Sequence, residues 1–136
     1  MKIQQECIDE FPPIQKGVNQ GIFAIENEQL GIYKVEESGN SWDEFVASFP
    51  EDKCCHIFTH FEYLSSSDNV ERSKFLHILW APSGASKKDK MQISFFAQKV
   101  LTELGALGAT RLEAGSKPSL DYETTKERIL RRVTVK

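Results

Sequence analysis

The run Phe75-Leu76-His77-Ile78-Leu79-Trp80 constrains the fold more than any other segment of the chain. Successive side chains of a strand leave opposite faces of a sheet, so a strand with one wet face alternates apolar and polar residues. This run is apolar on both faces apart from His77, which predicts a central strand covered on both sides. Pro82 and Gly84 end it, and Ser86 with Asp89 opens the longest helix, running to about Leu104 and closing on Gly105. That helix supplies one of the two covers.

Other signals fill in the layers. A short helix is expected over Glu6–Phe11, stopped by Pro12-Pro13, because proline lacks the N–H and restricts the residue before it. Residues 21–26 and 29–35 read as a hairpin about Asn27-Glu28. Ser41 caps a helix over 42–49, with Glu44 completing a Ser-x-x-Glu capping box. Strands of roughly 53–63 and 70–80 flank a polar loop, Leu64–Asn69. A strand near Thr110–Ala114 and a helix from about Ser119 to Arg132 complete the chain. The interleaving predicts an α/β fold of the α+β type, a central mixed sheet of about five strands with helices on both faces. At 136 residues it forms a single domain, 1–136.

Net charge is only −3, yet it is unevenly spread. Residues 1–68 hold 4 Lys/Arg against 13 Asp/Glu, and residues 69–136 hold 13 against 7. Either a basic surface meets an acidic partner, or the halves interleave in space and the field cancels. Cys7, Cys54 and Cys55 make a poor disulfide framework, which points to a reducing, cytoplasmic setting. No apolar run approaches the ~18 residues of a membrane helix, and the N-terminus does not read as a signal peptide.

Candidate chemistry is thin. His56 and His60 share a strand face but lie about 13 Å apart at ~3.3 Å per residue, too far to share one metal ion. Cys55 and His56 leave opposite faces, so they do not form a local nucleophile–base pair. Glycine-rich phosphate loops are absent, and basic residues do not alternate with aromatics as a nucleic-acid stacking platform requires. No catalytic residue, cofactor, metal or nucleic-acid partner is therefore expected.

The basic groups say more. Arg72 and Lys74 are two apart on a strand and leave one face. Glu127, Arg128 and Arg131 share one side of the last helix, where Glu127 and Arg131 suit an i,i+4 pair. Such a set is either a binding surface or an ordinary solvated helix face. Lys87, Lys88 and Lys90 crowd a helix start, where the positive end of the macrodipole disfavours cations. Local rules are most often broken where function needs it, although exposed lysines also tolerate so small a cost.

These residues resemble the actin-depolymerising factor/cofilin family. Glu71-Arg72-Ser73-Lys74, then Trp80-Ala81-Pro82 and Ser86-Lys87-Lys88-Asp89-Lys90-Met91, are similar to the family's basic hairpin, Trp-x-Pro strand exit and Lys-x-Lys-Met helix start. Phe49-Pro50-Glu51, Cys54 and Phe61-Glu62-Tyr63 resemble the strand before that hairpin. Glu127-Arg128-Ile129 with Arg131 resembles its terminal helix. The likeness covers about residues 3–132.

The resemblance implies a monomeric, non-enzymatic domain that binds actin filaments and monomers and promotes filament severing or depolymerisation. It implies one surface for both actin forms, carried onto Lys88, Lys90 and Met91. A second, filament-side surface carries onto Arg72, Lys74, Glu127, Arg128 and Arg131. It also implies competition by phosphoinositides at the basic surface. A phosphoinositide-binding module, or a relative of glia maturation factor acting on the actin-branching complex, is the alternative. The chain departs from the family at Ile93-Ser94-Phe95-Phe96, where a serine and a lysine are expected on the actin-facing helix. His60 stands where Asp is usual. The first serine is Ser38 and the first threonine Thr59, so the family's N-terminal phosphorylation switch is expected to lack its acceptor.

Overall fold

The computed structural model describes residues 1–39, 41–64, 68–106 and 108–134, with side chains described through Arg131. Its strands are β1 (Lys2–Ile3), β2 (Asn19–Glu26), β3 (Gln29–Glu37), β4 (Cys55–Leu64), β5 (Glu71–Trp80) and β6 (Thr110–Ala114). Its helices are α1 (Gln5–Asp9), α2 (Phe11–Gln15), α3 (Trp42–Ala47), α4 (Lys87–Phe95), α5 (Ala97–Leu104) and α6 (Tyr122–Thr134), with a 3-10 turn over Lys117–Leu120. The strands form one mixed sheet in the order β1-β3-β2-β4-β5-β6. The β1–β3 and β5–β6 pairs are parallel and the rest antiparallel.

The two faces bury separate cores. Phe23, Phe58, Phe75 and Leu79 meet Phe11, Ile14, Ile93, Ala97 and Val100, so α1, α2, α4 and α5 cover one face. Ile22, Ile57, Phe61, Leu76, Ile78 and Trp80 meet Phe45, Leu120 and Ile129, so α3, the 3-10 turn and α6 cover the other. The six residues of the 75–80 run are all buried, as their unbroken apolar character requires.

Local chemistry explains most element ends. The Glu44 amide donates to Ser41 Oγ at 3.1 Å and the Asp89 amide to Ser86 Oγ at 3.2 Å, so both expected N-caps form. Gly105 closes α5 with φ 73, a left-handed value glycine adopts without a Cβ penalty. The β2–β3 turn puts Asn27 at φ 53 and Glu28 at φ 62, the two positive values of a two-residue hairpin turn.

Two helix boundaries need correction. Pro12-Pro13 does not stop the first helix but opens the second, where the missing N–H costs nothing because first-turn donors have no intrahelical partner. The helix drawn from Ser86 to Leu104 divides at Phe96 (φ −97, ψ 9), although no proline or glycine marks the joint. Ile93, Ala97, Val100 and Leu104 stay buried across it, so the apolar stripe runs through unbroken. The sheet has six strands rather than about five: β1 is a two-residue segment paired to Gln29 and Leu30, too short to show any periodicity. The polar loop expected over 64–69 includes residues 65–67, which lie outside the described residues.

The halves of the chain do not interleave within the sheet. β1–β4 lie together on one side and β5–β6 on the other, so in the strand layer the acidic and basic halves stay apart. Behind β5, a Cβ on Gly84 would sit 2.4 Å from the Glu51 carbonyl oxygen. Backbone cannot yield there as a flexible side chain can. Gly84→Ala is expected to lower stability by about 1–3 kcal/mol through overpacking, read as a lower urea midpoint. An unchanged midpoint would show that the two loops are not in contact.

Candidate functional site

The β4–β5 register sets the basic hairpin. Lys74 lies opposite Phe61 and Arg72 opposite Tyr63. Residues opposite one another in an antiparallel pair share a face, and Phe61 and Tyr63 belong to the core beneath α3 and α6. Arg72 and Lys74 therefore leave the sheet on the α6 side, two residues apart as expected. Arg72 is exposed, and its guanidinium donates to Asp68 at 2.9 Å.

Among the described side chains of α6, Thr125 and Ile129 are buried, Glu127 and Arg131 are exposed and Arg128 is half-buried. Arg128 donates from Nη2 to the Glu113 carbonyl at 3.0 Å, tying the helix to β6. Tyr122 stacks on Phe61 at 5.0 Å and donates its hydroxyl to the Glu62 carbonyl at 3.0 Å, which anchors the helix start beside β4. Arg72, Lys74, Glu127, Arg128 and Arg131 thus share one sheet face.

Lys88, Lys90 and Met91 lie on α4, on the opposite face. Lys88 is exposed and forms an ion pair with Glu28 in the β2–β3 turn. That partner raises the pKa of Lys88 and lowers that of Glu28. The contact offsets the cation's unfavourable place at a helix N-terminus. Lys90 donates to the Ser83 carbonyl at 3.1 Å. The two lysines are held by different loops, one on each side of the helix start.

Met91 is 69% exposed and Phe95, four residues on, is 77% exposed. Residues four apart on a helix are neighbours, so they form one apolar strip. Phe95 was not among the expected contact residues, because its place in the sequence read as a departure rather than a site. The missed signal is the 93-97-100-104 stripe, which leaves Phe95 pointing away from the core.

The groups considered for catalysis are turned inward. Burial pushes the Cys7 thiol up to about 12, with Glu6 adding to it, and Cys54 up to about 11, with Asp89 adding to it. Cys55 is pushed higher still by burial. An activated nucleophile needs the reverse. Two of the histidines are also turned inward: His56 and His77 form a fully buried pair, Nδ1 to Nε2 at 2.8 Å. Burial lowers His77 to about 3, with Arg111 contributing, and His56 well below its usual value, with His77 and Arg111 contributing. His60 instead bonds the Gln15 carbonyl at 3.0 Å. Among the described residues no group of three His, Cys, Asp or Glu is placed to hold a metal, and no helix is long and apolar enough to cross a membrane.

Comparison with known proteins agrees with this arrangement. The family model described as cofilin/tropomyosin-type actin-binding protein matches residues 1–130. Actin-depolymerizing factor 2 of Oryza sativa subsp. japonica is 30% identical over 133 residues, covering 94% of this chain and 90% of the relative. Cofilin of Mycosarcoma maydis is 26% identical over 135 residues, covering 96% and 95%. The crystal structure of Streptomyces griseoflavus cofilin superposes with a TM-score of 0.78 at 21% identity, over 96% of this chain and 97% of that one. Glia maturation factor from Caenorhabditis elegans shares the fold at a TM-score of 0.68 and 16% identity, over 93% and 94%.

Proposed function

Because the chain belongs to the cofilin/tropomyosin-type actin-binding family, we propose that it binds actin filaments through the α6 face, promotes their disassembly, and holds actin monomers through α4. The family is non-enzymatic. The reading rests above all on the segregation of the two residue sets. Arg72, Lys74, Arg128 and Arg131 offer cations on one sheet face, while Lys88, Lys90, Met91 and Phe95 offer a mixed basic and apolar strip on the other. Large exposed apolar groups beside polar ones are a common mark of protein contact. One protein can then meet two actin subunits at once, which a single patch could not do. The same cations are suited to phosphoinositide headgroups, which would compete with filaments for them.

Co-sedimentation with actin filaments tests this, reading actin in both pellet and supernatant. The protein should pellet with filaments at low salt and raise supernatant actin. Co-pelleting should weaken as salt rises from about 0.05 to about 0.2 M, since exposed charges are screened over about 10 Å at 0.1 M. Failure to pellet at low salt overturns the filament reading; pelleting indifferent to salt overturns the role given to the four cations.

A further inference from the structure

The tip of the β2–β3 hairpin breaks a local rule. A two-residue turn with both residues left-handed favours Asn-Gly, because glycine takes a positive φ without a Cβ penalty. Here Asn27 is followed by Glu28, held at φ 62. Asparagine tolerates that region, whereas a glutamate gains nothing locally by adopting it. The turn also has little freedom to relax. Glu26 pairs with Gln29 across it, Lys2 of β1 pairs with Gln29 on the outer side, and the Ile25 amide donates to the Cys54 carbonyl at 2.9 Å. A strained residue fixed in this way points to a task for its side chain.

The Glu28 carboxylate reaches the start of α4 and forms the ion pair with Lys88. The two side chains are 61% and 63% exposed, so an incoming group can reach the pair. Each partner favours the other's charged form, through the hydrogen bond first and the charge second. Among the described residues, Lys88 is the one of Lys87, Lys88 and Lys90 held in an ion pair; Lys90 turns to the Ser83 carbonyl instead. An exposed pair of this kind adds little to stability. Its larger effect is to neutralise a cation that the α4 surface offers to a partner.

We propose that Glu28 is a built-in competitor for Lys88, an autoinhibitory clasp that an acidic partner must displace. The proposal rests on the α4 reading above, with monomeric actin as the partner. A carboxylate of the partner takes the place of Glu28 at Lys88. Glu28 then turns into solvent by side-chain rotation, since the backbone on both sides of the turn is held. The clasp lowers affinity for a partner that brings only a carboxylate to the helix start. It hinders less a partner that also offers a cation to the released Glu28.

The test measures binding of the full chain to labelled monomeric actin. Glu28→Gln removes the charge and keeps the left-handed turn, whereas Glu28→Gly removes the charge and the strain together. At low salt both should bind about three-fold more tightly than the wild-type chain, within the range of an exposed pair. The gain should vanish at about 0.5 M salt and in a Lys88→Ala background. A second readout needs no actin. Under limiting amine acylation, followed by tandem mass spectrometry, Lys88 should react several-fold faster in Glu28→Gln than in the wild-type chain, because the pair holds the lysine proton. Lys117, in the 3-10 turn on the other sheet face, should not change. Equal affinity of the wild-type and Glu28→Gln chains, or the same gain without Lys88, overturns the proposal. So does a gain confined to Glu28→Gly, which would trace to turn geometry, or a Lys88 reactivity that Glu28→Gln leaves unchanged. Failure of all three proteins to bind monomers, with Lys88 still released by Glu28→Gln, sinks the actin reading of α4 and upholds the clasp itself.

Discussion

An Arg128→Glu/Arg131→Glu double variant is expected to lose at least ten-fold in filament affinity, about 1.4 kcal/mol or more, while monomer binding stays within two-fold. Arg131 is exposed on the part of α6 that faces away from its buried Thr125 and Ile129, and Arg128 flanks them, half-buried. The change places two negative charges where an acidic partner surface is proposed to dock, so repulsion adds to the lost attraction. The described bond at risk is Arg128 to the Glu113 carbonyl, on the surface, so the thermal midpoint should fall only slightly. Lys88→Glu/Lys90→Glu is the contrast. Lys88 gives up Glu28 and Lys90 gives up Ser83, and the α4 strip beside Met91 and Phe95 turns acidic. Binding to both actin forms should then suffer. Equal losses for both actin forms from the two double variants would dissolve the two-surface assignment.

The second large effect is acid sensitivity from the His56–His77 pair. Both rings are buried and neutral, each with one further nitrogen, His56 Nε2 and His77 Nδ1, that has no partner among the described residues. Burial lowers both folded-state pKa values, so the unfolded chain takes up protons first as pH falls. The stability contribution is therefore complete above the unfolded value near 6.5 and is lost progressively from there toward the folded value, about 3 for His77. At ~1.4 kcal/mol per pH unit and per histidine, moving from pH 6.5 to pH 5 removes roughly 4 kcal/mol for the two together. That is a large share of the ~5–15 kcal/mol typical of a domain.

Urea unfolding at pH 7.5 and pH 5 measures this directly. A His56→Leu/His77→Leu variant removes both polar groups together, so no single orphan is left behind, and its stability should fall far less over the same interval. If the wild-type and double-leucine proteins lose stability in parallel, carboxylates rather than this pair govern the acid response.

The sequence by itself determined much of what short-range chemistry controls. The doubly apolar 75–80 run required cover on both faces, Ser41 and Ser86 had the hydroxyl for a helix cap, and Gly105 could take a left-handed turn. Asn27-Glu28 was the one polar break between two apolar runs. Likewise, Arg72 with Lys74 and Glu127 with Arg131 could be assigned to shared faces, because a strand period of two and a helix period of 3.6 are properties of the backbone. Only the tertiary structure decided which distant segments meet. His56 and His77, 21 residues apart, pair because β4 and β5 run antiparallel in one particular register. The helix-start lysine Lys88 finds Glu28 because the β2–β3 turn lies beside α4, and Phe95 is left in solvent because the stripe at 93, 97, 100 and 104 takes the core. The β2–β4 pairing ends at Gly21–Phe58, six residues before β4 ends. No local pattern marks any of these. They follow from strand order and register, which are set by the sum of many long-range contacts rather than by any residue's neighbours in the chain.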